Sequence, residues 1–164
     1  MSLNKLGQGV LAVLVIVVTA LVVKRWLVSE RDRVARVVHR LADHLESRDV
    51  GSFCLLLAED FTDSYGQDRG ALRTNMTQAM AYLESISIRV EELEIEIREP
   101  PGEAPSGAKE ARADFLAVCS ARGRGRSDRP PWRWQTRVRL TFRKRDGEWR
   151  VVHAEYALPR RARP

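Results

Sequence analysis

Cysteine is scarce in this sequence, with two residues, Cys54 and Cys119, in 164. They stand too far apart for a metal-knuckle or redox spacing, which removes zinc-ribbon and dithiol chemistry and leaves open whether the two pair. Histidine is equally sparse: His39 and His44 are five apart on a predicted helix, off the spacing of a helical metal site, and His153 stands alone. No glycine-rich phosphate loop, zinc pattern or Ser/His/Asp set occurs, so no cofactor and no metal are expected. Lysine is rare as well, since arginine outnumbers it 24 to 4 in a chain of net charge +6. With no RNA- or DNA-binding motif beside it, the arginine reads as composition, and no specific nucleic-acid partner is expected.

Charge is missing altogether from Leu6 to Val23, LGQGVLAVLVIVVTALVV. Eighteen helical residues span about 27 Å, close to the hydrocarbon thickness of a bilayer. Lys24, Arg25 and Trp26 follow, residue types suited to the headgroup zone. The sequence therefore predicts a tail and one transmembrane helix over residues 1–28, with the lipid bilayer as partner through residues 6–28. A cleaved signal peptide fits less well, because Val18-Thr19-Ala20 is a poor cleavage site and the apolar run continues past it. A buried core helix would show a polar face, and this run is apolar all round. The basic residues are biased to the C-terminal side, where Lys24, Arg25, Arg31, Arg33, Arg36 and Arg40 outweigh Lys5. That bias places the following domain in the cytoplasm; a periplasmic or extracellular domain is the alternative.

Residues 29–158 read as one α+β domain, followed by a basic tail over 159–164. Ser29 and Asp32 frame a capping box, and Val34, Val37, Val38, Leu41 and Leu45 follow at helical spacing. Asp49 caps a short second helix with Val50, Phe53, Cys54 and Leu57 on one face. Phe61 to Tyr65 reads as a short strand. A third helix runs from Gly70 to Glu84 with a Leu72, Met76, Ala79, Met80, Leu83 stripe. From Ser85 the period becomes two. Ile86, Ile88 and Val90 share one parity, and Leu93, Ile95 and Ile97 share the other, so one long strand with a bulge at Glu91-Glu92 is expected. Two more alternating strands cover Lys109–Ser120 and Trp132–Arg143. Asp146-Gly147 predicts a two-residue type I′ hairpin. Counting back from that turn pairs Phe142 with Val151, Leu140 with His153 and Val138 with Glu155, so Trp149, Val151, His153 and Glu155 share the apolar side, while Ala154 and Tyr156 face away.

Three helices followed by four long antiparallel strands suggest a bent sheet wrapped on helices. The amphipathic first helix, the run Asp49-Val50…Leu57-Ala58-Glu59-Asp60-Phe61 and the terminal Asp146-Gly147-Glu148-Trp149-Arg150-Val151 resemble the nuclear transport factor 2-like superfamily, which includes SnoaL-like cyclases and ketosteroid isomerases. The resemblance covers Glu30 to Tyr156. It implies a cone-shaped half-barrel with a pocket, and a homodimer through the sheet. A short tail, one span and this fold also resemble, in outline, the inner-membrane scaffold subunits of type IV secretion systems, which implies a membrane-complex partner.

Candidate site residues follow. His153 and Glu155 pair an imidazole with a carboxylate on one strand face, which suits proton sharing or a polar ligand; plain hydrogen bonding near the open end is the simpler reading. The resemblance places Asp63 and Tyr65 where many members carry pocket residues, and a tyrosine can donate to an oxyanion while an aspartate takes a proton next to a carbonyl. The simpler role for Asp63 is a turn cap. Ketosteroid isomerases also need a tyrosine on the first helix, and none lies between Ser29 and Ser47. Arg112 and Asp114 share a face, but lack the third residue of the limonene epoxide hydrolase set. The expected pocket is thus His153, Glu155, Trp149 and Tyr65, with His153, Glu155, Asp63 and Tyr65 as catalytic candidates. Arg122, Arg124, Arg126 and Arg129 form a basic loop. The function expected is a membrane-tethered, non-enzymatic module binding a protein partner or a small apolar ligand. The alternative is a SnoaL-like or isomerase-like enzyme acting on a small carbonyl compound.

Overall fold

The computed structural model describes residues 29–98, 109–125 and 130–157. Helix α1, Glu30–Glu46, begins at the expected capping box: Ser29 Oγ accepts from Asp32 N at 3.1 Å and Asp32 Oδ2 accepts from Ser29 N at 3.2 Å. Its apolar stripe buries Val34, Val37, Val38, Leu41 and Ala42. Helix α2 spans only Val50–Leu55, capped by Asp49. The chain then enters strand β1, Leu57–Asp63, where the local pattern had suggested the end of a helix. Helix α3, Arg69–Ala81, follows, capped by Asp68. Four long strands complete the domain: β2 Leu83–Arg98, β3 Glu110–Gly123, β4 Trp132–Arg145 and β5 Glu148–Tyr156.

The sheet order is β1-β5-β4-β3-β2. All neighbours are antiparallel except β1 and β5, which are parallel. The expected all-antiparallel sheet therefore gains a parallel edge strand. That pairing joins segments about ninety residues apart, and nothing in the local pattern of Leu57 to Asp63 announces it. The bulge expected at Glu91-Glu92 is present: the β2–β3 register shifts between Glu91 and Glu94, and Glu92 takes φ 53°. It returns Leu93, Ile95 and Ile97 to the side already occupied by Ile88 and Val90, all packed on the core. The hairpin also turns at Asp146-Gly147, with φ 52° and 81°, the double positive φ of a type I′ turn.

The expected register of that hairpin holds for four residues past the turn and then fails. Arg145 pairs with Glu148 and Phe142 with Val151, but Thr141 pairs with His153, Leu140 with Ala154 and Val138 with Tyr156. One extra residue, Val152, sits between them as a bulge. A shift of one residue moves every following side chain to the opposite face. Trp149, Val151 and Ala154 enter the core, whereas His153 and Glu155 turn to the outer face.

The core lies between α1 and the concave face of the sheet, around Phe61, Phe142, Leu57, Val34, Val38 and Val151. Alanine recurs on the inner face of β3, at 111, 113, 117 and 121, and all four are buried. Helix α3 differs from the packed helix expected, because none of its residues is buried and it rests on α2 and β1.

Among the described residues no helix is long and apolar enough to cross a membrane. The expectation of a single-pass membrane protein is corrected on that finding. The run from Leu6 to Val23, on which it rested, lies outside the described residues, as do Arg126, Arg129 and the basic tail.

Candidate functional site

The inner face of the sheet and the helices border a half-open cavity of about 330 Å³, within the range of small-molecule sites. Each element contributes apolar residues to it. Helix α1 supplies Val38, Leu41 and Leu45, β1 supplies Leu57 and Phe61, and α3 supplies Leu72, Met76 and Met80. The long strands add Ile86, Ile88, Val90, Phe115, Ala117, Trp134, Val138 and Leu140. Ala111 and Ala113, at the other end of the same β3 face, are buried and do not line it. The cone is thus packed at one end and hollow at the other.

No charged side chain lines the cavity among the described residues, and its hydroxyl and thiol groups are Thr136, Tyr156 and Cys119. Thr136 Oγ1 donates to the carbonyl of Ala157 at 2.8 Å. Burial pushes the Cys119 thiol up from its ordinary pKa, so it is held neutral. Cys54, also buried and free, is pushed up by burial too, against the opposing pull of Arg73 and Arg69.

Tyr156 is the most organised of the three. The bulge at Val152 turns it inward, and its hydroxyl donates to Asp63 Oδ2 at 2.7 Å. Asp63 is 4 % exposed at the end of β1. Its Oδ1 accepts from the backbone N–H groups of Tyr65 at 2.9 Å and Gln67 at 2.8 Å. The carboxylate therefore caps a turn, closed by Gly66 at φ +76°, and also fixes the phenol. Burial, then the hydrogen bond and the charge of Asp63, push the Tyr156 phenol well above its ordinary pKa. Tyr65 supports the same corner from outside: its hydroxyl donates to the Tyr156 carbonyl at 3.1 Å, and the two rings lie 5.4 Å apart.

The side chains expected to form the pocket lie elsewhere. None of His153, Glu155, Trp149 and Tyr65 lines the cavity. His153 Nδ1 lies 3.4 Å from Thr62 Oγ1 on the outer face. Glu155 accepts from Arg139 at 3.2 Å, in a row that continues through Asp114 to Arg112. Burial raises the Asp114 carboxyl, but hydrogen bonds and charge from Arg139 and Arg112 outweigh it and hold the pKa below the ordinary value. The Arg112–Asp114 pair is therefore an outer-face ion pair. Trp149 is buried, with its indole N–H donating to Glu30 Oε2 at 2.8 Å. Arg124 is exposed at the end of β3, with its backbone N–H on the Tyr82 carbonyl. Among the described residues no three His, Cys, Asp or Glu side chains converge to hold a metal ion.

Sequence reasoning missed Tyr156. The signal was there: Trp149 and Val151 share one parity, Val152, Ala154 and Tyr156 share the other, and His153 and Glu155 are polar. That parity change is the one that revealed the bulge at Glu91-Glu92.

The sequence profile of the SnoaL-like domain matches residues 26–155. The chain belongs to the SnoaL-like family. No curated protein matches this sequence. Among solved structures, this SnoaL-like domain is similar to a protein of Novosphingobium aromaticivorans with the provisional name scytalone dehydratase. The two share 17% identity at a TM-score of 0.65, over 77% of this chain and 82% of that one. An NTF2-like protein with a cystatin-like fold from the same organism shares 18% identity at a TM-score of 0.61, over 88% and 91%. A third protein of that organism, provisionally named an aromatic ring hydroxylase, shares 12% identity at a TM-score of 0.63, over 80% and 90%. At these identities the likeness is one of fold.

Proposed function

We propose that this SnoaL-like domain binds a small apolar ligand in its cone and does not transform it. The observation that carries this reading is the cavity lining: about 330 Å³ of space walled by aliphatic, aromatic and thioether side chains with no charged group. Apolar surface enters such a site with a gain of about 25 cal/mol per Å² removed from water. General acid–base catalysis needs a group within reach of substrate that is free to give or take a proton. Tyr156 is committed to Asp63, and the Cys119 thiol is neutral.

An enzyme is the second reading. It is favoured by the Tyr156–Asp63 hydrogen bond at the cavity wall and by the provisional names of two structural neighbours. Titration with Nile red tests the shared site, and the fate of the ligand separates the two readings. Saturable, blue-shifted emission that weakens at least about tenfold in Ala117→Phe, a variant that places a phenyl ring in the cavity, is the expected result. Aromatic ligands incubated with the protein are expected to return unchanged on chromatography. Conversion of a carbonyl or hydroxylated aromatic compound that is lost in Tyr156→Phe overturns the binding-only reading.

A further inference from the structure

The direction of one hydrogen bond sets what polar group the Tyr156 hydroxyl accepts from a ligand. A phenol has one proton to donate and lone pairs with which to accept. The proton of Tyr156 goes to Asp63 Oδ2, 2.7 Å away. Asp63 is buried and both its oxygens accept, Oδ2 from Tyr156 and Oδ1 from the backbone N–H groups of Tyr65 and Gln67. The phenol therefore has no free proton to offer a ligand, and its oxygen is an acceptor. We infer that the cavity selects apolar ring compounds bearing a hydroxyl donor over those bearing only a carbonyl or ether oxygen, with Tyr156 as the acceptor and Asp63 as the residue that sets its polarity. A ligand hydroxyl reaching Tyr156 Oη completes a donor chain from ligand to Tyr156 to Asp63. An ether or carbonyl oxygen placed there meets a lone pair and loses its water without replacement. This inference rests on the proposed apolar binding site and specifies its ligand class.

The same geometry supplies a switch. In Asp63→Asn, the position that accepts from two backbone N–H groups must hold the amide oxygen. The amide nitrogen then occupies the place of Oδ2 and donates to Tyr156 Oη. The phenol proton is released from its partner and becomes available to a ligand acceptor. One substitution that never touches the ligand should thus reverse the preference.

The test uses the full chain, with 2-naphthol as donor probe and 2-methoxynaphthalene as acceptor-only probe, each displacing Nile red. In the wild type 2-naphthol is expected to displace the dye at a concentration about tenfold lower than 2-methoxynaphthalene. In Tyr156→Phe the two are expected to become equal. In Asp63→Asn the order is expected to reverse. Equal displacement by both probes in the wild type overturns the inference and leaves the binding site standing. Absence of any cavity-dependent dye binding overturns the binding site itself. Should Asp63→Asn fail to fold, Tyr156→Phe decides, because a naphthol preference retained there overturns the role of Tyr156.

Discussion

Glu30 is the first residue of α1 and reaches across to the β4–β5 hairpin. Its Oε1 accepts from Lys144 Nζ at 2.7 Å and its Oε2 from the Trp149 indole at 2.8 Å. Burial alone raises the Glu30 pKa, but the bonds from Lys144 and Trp149, with the charges of Lys144 and Arg33, outweigh it and hold it below the ordinary value. A group whose pKa falls on folding contributes stability that is complete above its unfolded pKa and drains as pH falls through the folded one. Glu30→Gln removes the ionised acceptor and is expected to cost about 1.5 kcal/mol at pH 7. The difference in urea midpoint between wild type and variant should stay level from pH 7 to about 5 and shrink toward pH 3. A difference unchanged at pH 3 would show that packing, not charge, accounts for the effect. Ser29 and Asp32 were legible as the cap of this helix, but the partners of Glu30 were not. They lie on strands more than a hundred residues away, and only the closed sheet brings them near.

At the scale of elements, what the sequence disclosed is what local alternation and turn chemistry encode. The capping box, the type I′ turn and the bulge at Glu91-Glu92 all leave a mark within a few residues. The parallel β1–β5 pairing leaves none. The Val152 bulge left a mark that two adjacent valines obscured, since Val151 suits one face and Val152 the other. That single misplacement carried His153 and Glu155 into the expected pocket and kept Tyr156 out of it. Helix α3 is a further departure. Its stripe of Leu72, Met76 and Met80 has helical spacing, as expected, but lines a cavity instead of a packed interface, so no residue on it is buried. Elements with few buried contacts open at low free energy. Amide hydrogen exchange is therefore expected to be faster in α3 than in α1, and saturation with an apolar aromatic ligand is expected to slow α3 more than α1. Equal protection of the two helices without ligand would mean that α3 is held by contacts other than these.

At the scale of the whole molecule, the cone is an uneven container, and β3 measures it along one face. Ala113 and Ala117 point the same way from the same strand, four residues apart, and both are buried. Only Ala117 lines the cavity. Around Ala113 the space is taken, so Ala113→Phe must displace packed neighbours, at a cost of about 1–3 kcal/mol. Around Ala117 the space is empty, so a phenyl ring gains apolar contacts instead of displacing them, and strand geometry tolerates it. Ala117→Phe is expected to hold the urea midpoint at or above the wild-type value while weakening Nile red at least about tenfold, the exchange of function for stability that a binding cavity implies. The ligand then stabilises the wild type and not the variant, because only a site that exists in the folded state shifts the unfolding equilibrium. If both alanine variants lose stability equally, the cone is packed along its whole length and cannot hold a ligand. If Ala117→Phe keeps both its stability and its dye, the dye sits elsewhere on the molecule.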